Sequence, residues 1–537
     1  MRLFLILTAL ICATNISLIE AAKVNSMQAH IFDRPLIIGK GATEVMHIAI
    51  AVPQNNQQSV NVLQIHTSLE KATEHLQSAA LYRIGTKGSA RREMIATGTI
   101  KKGVIEFDTP MSLTLDTTWF AVSLSPRNKT NLDVTFHIEK ISARLNNNST
   151  ITCQPDNEHA IRTAYLLRAA GEDYCHTYRI PGFTTTDKGT LIAVYDNRYE
   201  NSKDLQGKIK IGMSRSTDGG KSWNPMKVVM DMKNHGGLAE SLNGVTDPSV
   251  LFDTKNKTIW VAAMWLSGGS KDKMAWWASQ PGMLPTETGQ FMLVKSTDDG
   301  ITWSDPINIT AQIKDPKWQL LLQGPGRGIC LEDGTLVFAA QFKEDIDKKA
   351  IDGGQYTCHS TIISSRDGGN TWQIGTGAKE NTTESQVVQL TNGSLMLNMR
   401  DDLNRIEKGN TNGRAVSITT DLGKTWTQHP SSNSALQEPN CMASLLAHDY
   451  QINGKKQRLL FFSNPNNKYE RTNMTIKISL DEGHTWPGQL QLNQDAGFGY
   501  SCMTPIDAQT IGIIYEGAHD IIFQRVKIAD LLETINN

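Results

Sequence analysis

The chain has 537 residues, with 53 Lys and Arg against 54 Asp and Glu for a net charge of -1. That length exceeds one ordinary small domain, so it implies two or more domains or one large repeat architecture. The near-neutral balance lacks the basic footprint of a nucleic-acid binder, and 39% hydrophobic residues with 42 Gly and 11 Trp fit a turn-rich globular chain rather than a disordered one.

The first residues stand apart in texture. Met1-Arg2 leads into an apolar stretch, Leu3 to Ala13, and then a polar segment ending Ile19-Glu20-Ala21-Ala22. This reads as a secretory signal over residues 1–22, cut near Ala21 or Ala22, with the mature chain exported to the periplasm or secreted. Cys12 follows Ala9-Leu10-Ile11, and the bulky Ile11 is a poor match to a lipoprotein signal, so no lipid anchor is expected. Later in the chain no apolar run approaches the ~18 residues of a membrane span; the longest, Ile259 to Leu266, is strand-sized. Six cysteines remain after export: Cys153, Cys175, Cys330, Cys358, Cys441 and Cys502. They form no CxxC pair, so zinc is not expected and no disulfide pairing follows from spacing.

Residues 23–150 carry short alternating runs, Met46 to Val52, Ser59 to Ile65, Thr118 to Leu124 and Leu132 to Ile138. These predict strands of a small antiparallel, β-sandwich-like accessory domain, for which carbohydrate binding is an open role. The Asn-rich stretch from Leu145 to Asn157 has turn chemistry and no periodicity, which places the boundary there and a second domain over 156–537.

Beyond that boundary an internal repeat dominates. Ser/Thr-x-Asp-x-Gly-x-x-Trp occurs five times, at Ser216 to Trp223, Ser296 to Trp303, Ser365 to Trp372, Thr419 to Trp426 and Ser479 to Trp486. The starts lie 80, 69, 54 and 60 residues apart, and each copy follows a strand-like run such as Ile209 to Met213. A turn in which Gly supplies positive φ, Asp and Ser/Thr bond nearby N–H groups, and Trp packs on the sheet explains the pattern. Hairpins at this spacing fit four-stranded propeller blades with long loops. Five equivalent Asp residues cannot serve one reaction centre, so their role is structural.

The repeats are similar to the Asp boxes of bacterial exo-α-sialidases, and Tyr178-Arg179-Ile180-Pro181-Gly182 resembles that family's Arg-Ile-Pro motif. The likeness runs from about Tyr174 to Glu516 and implies an all-β fold, a six-bladed β-propeller. It also implies three arginines that hold the sialic acid carboxylate: Arg179, Arg400, sixteen residues after Glu384, and Arg471, which follows Ser463-Asn464-Pro465. A guanidinium fork suits a planar carboxylate. Within Val194 to Asp204 the resemblance makes Arg198 a ligand of the 4-hydroxyl and Asp204 the proton donor, with Asp196 and Glu200 as neighbouring alternatives. Asp247, in Thr246-Asp247-Pro248, matches a second 4-hydroxyl ligand.

Tyr500, in Gly499-Tyr500-Ser501, matches the nucleophile, and Glu384 its base. Sialidases are an exception among retaining glycosidases in using a tyrosine. A neutral phenol avoids repulsion from the substrate's own carboxylate, yet its ordinary pKa near ~10 requires a base. The implied activity is retaining hydrolysis of terminal sialic acid from sialylated glycans, without metal or cofactor. Trans-sialylation and a non-catalytic Asp-box lectin are the alternatives; Trp265, Trp276 and Trp277 are candidates for an acceptor rim or for blade packing. Oligomeric state is not readable.

Overall fold

A computed structural model describes residues 25–535 except 53–57, 86–91, 115 and 271. The expected signal segment and Cys12 lie outside the described residues. Two compact units divide between Thr163 and Ala164. No helix among the described residues is long and apolar enough to cross a membrane.

The first unit is one continuous antiparallel sheet of nine strands. Its order is Ser26–Ile31, Thr43–Val52, Asp116–Pro126, Leu76–Ile84, Arg92–Lys101, Val104–Ser112, Ser59–Thr67, Ile138–Leu145 and Thr150–Cys153. The sheet curls in a barrel-like way, so that a bridge between Ala29 and Pro155 brings its two ends together. Alternating inward residues, including Ile48, Leu63, Phe107, Phe120 and Ile141, fill the core. Three of the four predicted runs fall within strands. The fourth, Leu132 to Ile138, does not: the Asn131 side chain accepts from the Asp133 N–H and folds a turn, leaving only Thr135–Phe136 extended before Ile138–Leu145 begins. The Asn-rich stretch itself carries the strand Thr150–Cys153, paired to its predecessor.

The second unit is a ring of six blades. Their first strands are Thr177–Thr185, Val245–Asp253, Leu320–Gln323, Thr382–Gln389, Ser444–Ile452 and Ser501–Pro505. First strands of blades 1, 2 and 3, and of blades 4, 5, 6 and 1, touch in sequence and line the axis. In blade 6 the fourth strand comes from the other end of the sequence: Tyr165 and Leu166 pair with Phe523 and Ile522. The ring is thus closed by joining early and late chain.

Each Asp box is the turn from a blade's third strand to its fourth. Blade 6 has no such connection within the chain, which explains five boxes in six blades. In every box the first hydroxyl accepts from the fifth residue's N–H at 2.8–2.9 Å and donates to the Asp. The Asp also accepts from the N–H and hydroxyl of the seventh residue, Ser222, Thr302, Thr371, Thr425 or Thr485. That seventh hydroxyl is present in all five copies and belongs to the motif. The fifth residue must be glycine for two reasons. At Gly220 φ is 87°, and a Cβ there would lie 2.2 Å from Phe523.

The box tryptophans wedge into the seam with the preceding blade. Trp223 of blade 1 meets Phe523 of blade 6 edge-on at 5.3 Å, and Trp372 of blade 3 meets Trp260 of blade 2 at 6.4 Å. Each aromatic therefore links adjacent blades by apolar burial as well as filling its own.

Hydrogen bonds push the Asp298 carboxyl down to about 2, chiefly those from Thr302. A group depressed in the fold stabilises it above its unfolded pKa of about 3.9, and that contribution is lost as pH falls toward 2. Asp298→Ala should cost about 1 kcal/mol at pH 7, as for a lost turn cap. Urea denaturation of both proteins should show the difference shrinking from pH 5 to pH 3; a gap that is constant with pH contradicts the assignment.

Candidate active site

Three first strands carry a bulge at the residue that matters. Register slips between Arg179 and Gly182, between Thr246 and Ser249, and between Thr383 and Ser385. A bulge re-aims a side chain that regular pairing would leave in the ladder. Ile180 and Asp247 take left-handed φ values of 57° and 61° at these points, each followed by a proline. Arg179, Asp247 and Glu384 therefore sit at the same end of three blades. Arg198 and Arg400 close the second strands of blades 1 and 4, where antiparallel pairing returns the chain to that same end.

Tyr500 lies just before the first strand of blade 6 and is 6% exposed. Its hydroxyl donates a short hydrogen bond to one oxygen of Glu384, and Arg400 donates to the other. Arg400 also reaches the Tyr500 hydroxyl at 3.2 Å. The Arg179 and Arg471 guanidinium groups lie 5.2 and 5.7 Å from the centre of the Tyr500 ring. All three predicted arginines thus converge on one phenol. Burial, then the Glu384 charge, hold the Tyr500 hydroxyl well above the usual phenol range, so it is neutral near pH 7.

Across the cavity, Arg198 is fully buried and forks onto Asp196 at 2.9 and 3.1 Å. Its Nη1 donates to Asp204 at 2.7 Å and to the Ser202 carbonyl at 2.8 Å, and Arg179 stands 3.5 Å from the same Asp204 oxygen. Asp204 lies on the loop after Arg198 with its side chain 55% exposed. Burial of the carboxyl against the site opposes ionisation, but Arg198 and Arg179 outweigh it and hold Asp204 below the usual carboxylate range. Asp247 shows the opposite behaviour. Burial and the charges of Asp196 and Asp204 push it well above that range. Asp196 itself accepts from Arg198, the Thr246 hydroxyl and the Asp247 N–H, so it orients its neighbours.

Asp204, Asp247, Glu384, Arg400 and Tyr500 line a cavity of about 310 Å3. Its far wall is apolar and includes Met264, Leu320, Leu322, Trp276 and Trp277. The three candidate tryptophans divide. Trp265 is buried in the seam of blades 1 and 2, whereas the short helix Ala275–Ala278 presents Trp276 and Trp277 to the cavity. Lys343 lies 4.1 and 4.7 Å from their ring centres, and Asp352 accepts from the Trp276 N–H at 2.9 Å.

Two supports are absent from the sequence reading. Asn440, with φ of 55°, accepts from Arg400 at 2.8 Å. Glu516 is fully buried and accepts from Arg179 Nε at 3.1 Å, the Ile180 N–H at 2.8 Å and the Tyr500 N–H at 2.9 Å. The signal for Glu516 was present: a lone carboxylate ends the mostly apolar strand Thr510–Glu516, and a buried charge needs a partner. The six described cysteines form no disulfide. Among the described residues no cluster of His, Cys, Asp and Glu has metal-site geometry.

Residues 180–501 match the BNR repeat-like domain. The chain is 47% identical to a sialidase of Bacteroides fragilis over 419 residues, 77% of this chain and 74% of that one. The chain belongs to the sialidase family. A solved Hadza microbial sialidase is similar over 94% of this chain and all of its own, at 38% identity and a TM-score of 0.80. An intramolecular trans-sialidase from Ruminococcus gnavus shares the fold at 19% identity and a TM-score of 0.54, covering 68% of this chain and 98% of its own. Family membership makes this a glycoside hydrolase that cleaves sialic acid.

Glu516→Gln keeps the shape and removes the charge that balances Arg179. Breaking a buried pair from one side costs roughly 3–5 kcal/mol. Urea denaturation should show a loss of about that size, together with a raised KM for sialosides. A variant as stable as the parent would show that Asp204 alone satisfies Arg179.

Proposed function

We propose that this sialidase is a retaining exo-hydrolase whose nucleophile is Tyr500, with Glu384 as its base and Asp204 as its acid. The observation that carries the reading is the Tyr500–Glu384 hydrogen bond amid three arginines. In the first step the phenolic oxygen bonds to the anomeric carbon while its proton passes to Glu384. The bond to the leaving oxygen breaks, and Asp204 supplies that oxygen's proton. In the second step Asp204 takes a proton from water, whose oxygen attacks the anomeric carbon. The tyrosyl bond then breaks and the phenolate recovers its proton from Glu384. Two inversions give net retention.

Arg179, Arg400 and Arg471 hold the substrate carboxylate, because charge-assisted, bidentate contacts are the strong ones. Such contacts persist from ground state to transition state and cannot alone give large acceleration. Arg198 and Asp247 face the sugar's 4-hydroxyl. The basic start and apolar run of the first 22 residues support export, which places the enzyme with sialylated glycans outside the cytoplasm.

A chromogenic sialoside, assayed with and without lactose, should yield free sialic acid in both cases; transfer to lactose would make the enzyme a trans-sialidase instead. Tyr500→Phe should fold and bind sialic acid while turnover falls by orders of magnitude. After a fluorinated sialosyl fluoride, mass spectrometry should find the label on Tyr500. A label elsewhere, or an inverted first product, defeats the mechanism. Asp204→Asn should impair substrates with poor leaving groups far more than aryl sialosides, whose phenolate needs little protonation. Equal loss on both would remove Asp204 from the acid's role.

A further inference from the structure

The first strands that begin at the catalytic cavity run on to a second cavity of about 370 Å3. Thr184, Phe252 and Val388 line it, five, five and four residues beyond Arg179, Asp247 and Glu384 on the same strands. At ~3.3 Å per residue that is roughly 15 Å away, at the opposite end of the ring's axis. None of the proposed catalytic residues lines it.

Arg327 does line it, from the short strand Gly326–Arg327 that runs parallel to the first strand of blade 2. Its Nη1 donates one long hydrogen bond, 3.4 Å, to the Met503 carbonyl, and its Nε is buried with no partner. No carboxylate lies within 4 Å of it among the described residues. The other guanidinium at this cavity, Arg458, is already taken by Asp449 at 2.9 Å and Glu332 at 3.6 Å. The His448 imidazole is pushed down by burial and by Arg327, so it adds no charge near pH 7. Arg327 therefore keeps an unbalanced positive charge in a partly buried site.

Elsewhere the propeller pairs its deeply placed arginines with acids: Arg179 with Glu516, Arg198 with Asp196, Arg400 with Glu384, Arg414 with Glu438. Arg471 breaks that rule at the catalytic cavity, where it bonds only to the Phe498 and Asn440 carbonyls. There the missing anion is the substrate's carboxylate. Arg327 is a second exception, and burial lowers its basicity, as expected when the compensating charge is missing.

We propose that this far cavity is a second anion site, which takes a small organic monocarboxylate. The Arg327 fork pairs with the carboxylate, and the apolar body packs on Phe252, Val388 and Leu445. A phosphate dianion fits poorly, because one free guanidinium cannot balance it and Arg458 is occupied. A bound carboxylate joins blades 2, 4 and 5 around the axis, so it stabilises the ring without entering the reaction.

The experiment reads binding, so it stands whether or not hydrolysis is observed. Melting temperature and titration calorimetry are followed with sodium benzoate and, separately, inorganic phosphate, on the full chain, Arg327→Met and Arg400→Met. Ligand binding to the folded state raises the melting temperature with ligand concentration. The expected result is a benzoate-dependent rise in the full chain and in Arg400→Met that is absent in Arg327→Met, whose hydrolysis of a sialoside is unchanged. If Arg327→Met does not fold, Arg327→Lys keeps the charge but loses the fork, and benzoate affinity should fall at least tenfold. A benzoate effect lost in Arg400→Met but kept in Arg327→Met assigns binding to the catalytic cavity and overturns the proposal. So does an Arg327-dependent response to phosphate alone, or unchanged affinity in Arg327→Lys.

Discussion

One buried carboxylate links the closure of the ring to the reaction centre. Glu516 ends the second strand of blade 6, beside the strand that pairs with Tyr165 and Leu166. Its two oxygens hold Arg179 and the Ile180 N–H of blade 1 and the Tyr500 N–H of its own blade. The first and last blades are thereby fixed to each other at the point where Arg179 and the proposed nucleophile, Tyr500, must meet. A charge buried this deeply needs donors on both oxygens, and Glu516 has them from backbone and guanidinium groups alone. Its placement depends in turn on the ring's being closed, so site geometry and blade assembly are one constraint.

The propeller supplies residues from distant parts of the sequence because every first strand begins at the same face. The bulges at Arg179, Asp247 and Glu384 turn that regular arrangement into a site, each at the mouth of a different blade. Asp boxes serve the other requirement. They hold the outer hairpins with bonds inside the turn and place tryptophans such as Trp223 and Trp372 in the seams with the preceding blades, which keeps those blades in register. Structural and catalytic aspartates therefore occupy different positions in the blade, and the sequence separates them by repetition.

That separation explains what was legible. The five repeats predict blades because their bonding is local: first hydroxyl, Asp, Gly and seventh hydroxyl lie within eight residues. Arg179, Asp204, Glu384, Arg400, Arg471 and Tyr500 were legible through resemblance, since each lies in a short motif, and the structure brings them around one phenol. Glu516 stands out as a carboxylate ending a mostly apolar strand, but its partner and that of Asn440 were not legible, because these are Arg179, 337 residues away, and Arg400, 40 residues away. Trp265 could not be told from Trp276 and Trp277 for a similar reason. Burial of an aromatic depends on which neighbouring blade covers it, a fact no local pattern contains. The strand expected at Leu132 to Ile138 failed on local chemistry, since the Asn131 turn competes with extension.

The charges at the site also order the proposed steps in time. In the resting enzyme Arg198 and Arg179 hold Asp204 ionised, a state in which it cannot serve as an acid. A substrate carboxylate at Arg179 spends part of that guanidinium's field on itself and brings a negative charge near Asp204. Both changes raise the affinity of Asp204 for a proton, as any anion does for a neighbouring carboxylate. The sugar also shields from water a loop carboxyl whose side chain is 55% exposed, which works in the same direction. Asp247 differs, because burial and its acidic neighbours raise its affinity for a proton beforehand. The proposed acid is thus armed by the group that distinguishes sialic acid from neutral sugars. A neutral glycoside of similar size would leave Asp204 ionised against its arginines, so discrimination acts on the chemical step as well as on binding.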